Sequence, residues 1–190
     1  MKKPAVIAFA AVLLLILCSC GGETLVKTEA FPTFEYTHYA SGGTEETYKA
    51  VILFEQSCST FTSYQVSFLS CTCRDPLVNY SSVCYVELLN TKPTADLAAI
   101  RTITFGNNQG LWGDSNPNYY IPEYTEEYYD EHLIQPLVGA TKAEFDSWKG
   151  YGTQLDRIDA DAVSGASVSS GNITSMLRSL FEYHAEHYYK

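Results

Sequence analysis

The sequence predicts an α+β fold: a mostly antiparallel sheet from its first half, helices from its second, and a C-terminal amphipathic helix packed on that sheet. Three observations carry the expectation. Runs rich in branched and aromatic residues, punctuated by Pro, Ser and Asn, fill residues 48–105 and suit strands. Helix-start signals concentrate after Tyr124. Near the end, Ile173, Met176, Leu177, Leu180, Phe181, His184 and Tyr188 recur at the three-and-four spacing of one buried helical face.

In chain order, Lys2 and Lys3 precede an apolar run from Ala5 to Leu17, the charged start and hydrophobic stretch of a signal peptide. The run is too short and too early for a permanent span. It ends Leu17-Cys18-Ser19-Cys20-Gly21, which resembles the lipobox of bacterial lipoproteins. That resemblance implies a signal peptide over 1–19, cleavage before Cys20, and lipidation of Cys20 as an anchor on the extracytoplasmic face of a bacterial membrane. More than one acyl chain is needed for stable attachment. Ordinary secretion is the competing reading, and the small Ser19 directly before Cys20 suits it less.

The whole chain has 12 basic and 22 acidic side chains, a net charge of −10. Without Lys2 and Lys3 the balance becomes −12, which argues against a nucleic-acid partner and suits a solubilising surface, or one that steers a cationic partner. Residues 20–47, rich in Gly, Thr and Glu, read mainly as a lipid-anchored tether. Phe31, Phe34, Tyr36 and Tyr39 argue that part of it docks on the domain. Residues 48–190 make one domain, enough chain for a single core.

Within that domain, Tyr48 to Gln56 contains Ala-Val-Ile-Leu-Phe, a buried-strand run, and Val83–Leu89 and Ile100–Phe105 read as further strands. Phe61–Leu69 is ambiguous between strand and helix. Cys58, Cys71, Cys73 and Cys84 form an even set in an exported chain and read as two disulfides with three possible connectivities. A Cys71–Cys73 bond would be strained, so Cys58 and Cys84 are expected to take one of that pair each. Four thiolates could also hold a metal or iron–sulfur cluster, but CxxC and CxxCH spacings are missing and an oxidising compartment opposes it.

After the last strand, Phe105-Gly-Asn-Asn-Gln-Gly-Leu-Trp-Gly-Asp114 is a glycine-rich loop that brings backbone close to a flat ligand, with Trp112 as a stacking ring. A simple turn with one buried Trp fits equally well. Thr125 is placed to cap a helix from Glu126 to about Ile134, ended by Pro136, and Thr141-Lys-Ala-Glu144 is a capping box for a short helix carrying Phe145 and Trp148 up to Gly150. Tyr119, Tyr120, Tyr124, Tyr128 and Tyr129 offer a redox relay or docking surface; amphipathic packing explains them better.

The stretch Asp161-Ala-Val-Ser164-Gly165-Ala166-Ser167-Val-Ser169-Ser170-Gly171 lies just ahead of the C-terminal helix. Ser169, Ser170 and Asn172 are competent N-caps, and Gly165 and Gly171 allow close backbone approach. Free amides and the helix dipole at such a start hold a phosphate without Lys or Arg. The seven residues Asp161 to Ser167 are similar to the flavinylation motif of the FMN-binding domain family, found in extracytoplasmic flavin subunits of the sodium-pumping NADH:quinone reductase and the Rnf complex. The resemblance implies FMN joined by a phosphoester to Ser167 through a flavin transferase that reads Asp161, Ser164, Gly165 and Ala166, with Ser169 in the following hydroxyl pair. It also implies a flavin-ring pocket at Gln109, Gly110, Leu111 and Trp112. Ser in place of the usual Thr leaves covalent and reversible FMN both open.

The function this implies is an electron-transfer flavoprotein relaying electrons from a membrane donor to a downstream redox partner. Two other classes stand beside it: an FMN-dependent reductase of a small extracellular acceptor, and a non-redox, disulfide-stabilised surface-binding lipoprotein. Asn172-Ile-Thr174 fits the N-glycosylation pattern, but its place at a helix start in a bacterial lipoprotein argues against use. His184 and His187, lacking a metal-motif Glu, read as packing and surface residues. No triad order or paired-carboxylate pattern indicates a hydrolase.

Overall fold

Strand alternation builds the sheet that positions everything else. The computed structural model describes residues 30–72, 80–107, 126–159 and 167–189. Five strands, β1 (Thr33–Tyr39), β2 (Glu45–Ser57), β3 (Phe61–Cys71), β4 (Tyr80–Leu89) and β5 (Ile100–Asn107), form an antiparallel sheet in the order β1-β2-β3-β4-β5. Three helical elements follow: α1 (Glu126–Tyr129), α2 (Lys142–Ser147) and α3 (Ser167–Tyr188). An α+β fold is therefore what the chain adopts. The ambiguous run from Phe61 is a strand: Tyr64, Val66 and Phe68 are buried at period two.

Part of the stretch 20–47 lies on the sheet as β1, as its aromatic residues suggested. Thr33–Tyr39 is an edge strand, Phe34↔Ala50 and Tyr36↔Tyr48 pair facing the core, and Glu35↔Lys49 and Thr37↔Thr47 pair on the other face. Opposite charges and facing threonines are favourable cross-strand pairs. Tyr36 and Tyr39 are buried, although Phe31 is exposed, and the compact unit begins at Phe31 rather than at residue 48.

β2 is irregular between Ile52 and Phe54, and such a bulge bends a strand and sharpens its twist. Past it β2 pairs with β3, while β1 lies against the far end of β3. There the Tyr36 hydroxyl donates to the Leu69 carbonyl at 2.8 Å, His38 Nε2 meets Thr72 Oγ1 at 2.8 Å, and the Tyr36 ring stands edge-on to Phe68. The sheet is curled, and α3 lies against β1 and β3. Ile173, Met176, Leu177, Leu180 and Phe181 of α3, together with Ile52, Tyr64, Val66, Val86, Leu88, Ile100 and Ile103, are fully buried. Each such aliphatic side chain contributes about 2 kcal/mol by leaving water.

α1 does not stop cleanly. It runs into a wide turn, Asp130–Ile134, and then a tight one, Gln135–Leu137. Pro136 is accommodated at the first turn of that last segment, where a missing N–H costs nothing, so the coil ends at Leu137 and not before the proline. Thr125 lies outside the described residues. The Thr141–Glu144 capping box forms as expected: Thr141 Oγ1 accepts from the Glu144 N–H at 3.3 Å and Glu144 Oε2 from the Thr141 N–H at 2.8 Å. Glu144 also receives Arg157, which donates to the Pro136 and Val138 carbonyls.

Candidate functional site

The start of α3 is where the sequence concentrates its hydroxyls. α3 begins at Ser167, so Ser169, Ser170, Gly171 and Asn172 lie inside its first turns and do not cap it. Ser169, Ser170 and Asn172 are buried. Asn172 is a clamp. Its Oδ1 accepts from the Tyr39 N–H at 2.6 Å, and its Nδ2 donates to the Tyr39 carbonyl at 3.0 Å and the Ser70 carbonyl at 2.9 Å. One amide thus satisfies backbone groups at the ends of β1 and β3, groups that would be costly to bury unpaired.

Around the clamp the packing is aromatic. A side chain at Gly171 would make ordinary contacts with the Tyr39 ring at 3.5 Å and Tyr151 at 3.9 Å. Gly43, at φ 80°, sits beneath Tyr151, whose ring lies 2.6 Å from where a Cβ would stand. Trp148 stands edge-on to Tyr39 and donates from Nε1 to the Thr153 carbonyl at 3.0 Å. Gln154 reaches the same turn: its Nε2 donates to Ser170 Oγ at 3.0 Å, and its Oε1 is buried with no hydrogen-bond partner.

Ser167 is thus placed by its backbone as the first residue of a helix of 22 residues; its side chain lies outside the description, as do Asp161, Ser164, Gly165 and Ala166. Gln109, Gly110, Leu111 and Trp112, the expected ring pocket, lie outside the described residues too, and so do Cys20 and Cys73. Among the described residues, sequence reasoning missed Gln154 and Tyr151, and gave Asn172 the role of a cap where it is a clamp. Its burial was findable, since Asn172, Met176 and Leu180 share one face at a spacing of four. Nothing in the sequence marks Gln154.

The expected disulfides, Cys58 and Cys84 each taking one of Cys71 and Cys73, do not appear among the described residues, where Cys58, Cys71 and Cys84 are free thiols. Cys58 is an exposed thiol beyond the end of β2, whereas Cys71 is the last residue of β3 and pairs with Tyr80, and buried Cys84 pairs with Val66. At about 3.3 Å per residue, these register positions put Cys58 roughly 15 Å or more from Cys84 and farther still from Cys71, beyond the reach of a disulfide. Cys58 is lowered by the Thr60 hydroxyl and neighbouring backbone amides; burial raises Cys84. Among the described residues no group of three His, Cys, Asp or Glu side chains is arranged to hold a metal, and no helix is long and apolar enough to cross a membrane.

A second polar centre lies at the other end of α3. His184 Nδ1 meets the Tyr64 hydroxyl at 2.8 Å, both residues fully buried, and among the described residues no group makes a well-formed hydrogen bond to His184 Nε2. The Glu55 carboxylate accepts from Tyr183 at 3.0 Å and Tyr188 at 2.6 Å. Burial lowers His184 to about 4 and raises Tyr183 to about 12. His187 is exposed and stacks on Tyr183.

What fold and site together define is a class: an α+β protein in which a curled antiparallel sheet carries one long C-terminal helix, fixed at its start by a buried amide. Comparison with protein families, with curated proteins and with solved structures finds no match.

Proposed function

We propose that this chain is an extracytoplasmic electron carrier that holds FMN, joined through its phosphate to Ser167. The observation that carries the reading is the placement of the motif: the residue that resembles the flavin acceptor is the first residue of α3, where backbone amides without helical partners and the positive end of the dipole favour a phosphate. Gln154 adds a test of fit. Its unpartnered Oε1 is an acceptor, and flavin offers donors in its ring N–H and ribityl hydroxyls.

FMN, when bound, supplies one- and two-electron chemistry. The protein's own part is positioning. Asn172 fixes the helix start on β1 and β3, Tyr39, Tyr151 and Trp148 wall the turn behind it, and Gln154 orients its amide through Ser170. Asp161, Ser164, Gly165 and Ala166 would be read by a flavin transferase, and Gln109 to Trp112 would contact the ring. Lipidation at Cys20 would hold the carrier to the membrane beside its electron donor, with a second redox partner receiving the electron. An acidic surface steers cationic partners.

Intact-mass measurement tests the reading. Co-expression with a flavin transferase is expected to add FMN less one water to the wild-type chain and to give a fluorescent band on a denaturing gel; Ser167→Ala is expected to remove both. Unmodified wild type, with no FMN binding on titration, would overturn it.

A further inference from the structure

The helix α3 is gripped in two chemically different ways. From Ile173 to Phe181 the contact is aliphatic and aromatic packing, indifferent to pH. From Tyr183 to Tyr189 ring packing is joined by polar contacts: the Tyr183 and Tyr188 hydroxyls on Glu55, His184 on the Tyr64 hydroxyl, and the Tyr189 hydroxyl on the Leu89 carbonyl at 2.9 Å. We propose that this second grip is an acid-sensitive latch, in which protonation of buried His184 undocks the last two turns of α3 from the sheet while the rest of the helix stays in place.

The geometry supplies the coupling. His184 Nδ1 shares one hydrogen bond with the Tyr64 hydroxyl, and burial keeps the docked ring neutral. A second proton makes both ring nitrogens donors, so the Tyr64 hydroxyl can only accept from Nδ1, and the ring becomes a cation sealed from water. The groups facing it offset this burial only in part. Tyr64 comes from β3, and Glu55 from β2 is committed to Tyr183 and Tyr188. The Leu89 carbonyl at the end of β4 favours the cation, although it also accepts from Tyr189. On α3 itself, His187 opposes it with like charge, and the Tyr188 and Tyr189 rings pack 5.0 and 5.7 Å away. Lys92 lies across the adjoining groove from Tyr188 and Tyr189, and Glu35, Glu182 and Glu186 line another groove beside Tyr183. A charge that cannot be solvated in place is solvated by opening.

Opening would release Tyr188 and Tyr189 from the groove of about 470 Å³ that they form with Asn90, Lys92 and Thr94, and would free the Glu55 carboxylate. The proposal does not depend on FMN.

Hydrogen exchange of the full chain, corrected for intrinsic rates, tests it between pH 7.5 and 4.5. Amides of residues 183–189 are expected to lose at least tenfold more protection than those of 173–180, with a midpoint that coincides with titration of the His184 ring signals. His184→Phe, which cannot be protonated, is expected to keep the end docked at pH 4.5, and Glu55→Gln to leave the transition in place. Uniform loss along α3, no selective loss at all, a His184 titration that does not coincide, or disappearance of the transition in Glu55→Gln would each overturn it. Should His184→Phe not fold, the wild-type ring titration and Glu55→Gln decide.

Discussion

Asn172 carries more of the architecture than any residue of its size. Truncating it to Ala leaves the Tyr39 N–H and two carbonyls buried without partners, and Asn172→Ala is expected to cost about 3 kcal/mol in denaturant unfolding. Asn172→Asp is expected to do no better, since a carboxylate cannot donate to the Tyr39 and Ser70 carbonyls. The two adjacent glycines make a sharper comparison. Gly42 and Gly43 both have φ of 80°, but a Cβ at Gly42 meets nothing within 4 Å and one at Gly43 meets the Tyr151 ring. Gly42→Ala should therefore cost about 1 kcal/mol of backbone strain. Gly43→Ala adds overpacking and should cost about 3 kcal/mol, and thermal melts of the pair separate the two contributions.

At the scale of elements, the capping box makes α2 accountable to one hydroxyl: Thr141→Ala is expected to lose about 1 kcal/mol, read by urea titration. Legibility from sequence also divides at this scale. β2, β4, β5 and the Thr141 start were readable because their signals are local, a period of two or a cap three residues from its partner. β1 was hidden because its partners sit in another strand. Glu35 and Thr37 look like linker residues until Lys49 and Thr47 are placed opposite them. The start of α3 was read late for a related reason: Ser169, Ser170 and Asn172 look like caps, and their burial is decided by β1 and β3, which the local sequence does not contain. The candidate site was legible as a motif, while Tyr39, Tyr151 and Gln154 reach it only through the fold.

For the whole molecule, buried histidines set the response to acid. His38 and His184 are both fully buried, and burial lowers both, His184 to about 4. Between that value and the ordinary 6.5 the unfolded chain binds protons that the native state refuses. Native stability is thus complete above about pH 6.5 and falls as pH drops toward 4. Urea midpoints across that range should decline for the wild type, and the decline should shrink in His184→Phe. Thiol chemistry gives an independent check on the fold. With Cys58 exposed and Cys84 sealed at the sheet's centre, a maleimide should label Cys58 in native protein and reach Cys84 only after denaturation.

The clamp at Asn172 also bears on how the protein can be made. The side chain that ties helix to sheet is the acceptor position of an Asn-Ile-Thr tripeptide, and a eukaryotic secretory host attaches sugar to such acceptors while the chain is still unfolded. An oligosaccharide there would occupy the amide that three backbone groups require. Material secreted from yeast or mammalian cells should emerge misassembled or be retained, and a bacterial host should be used instead.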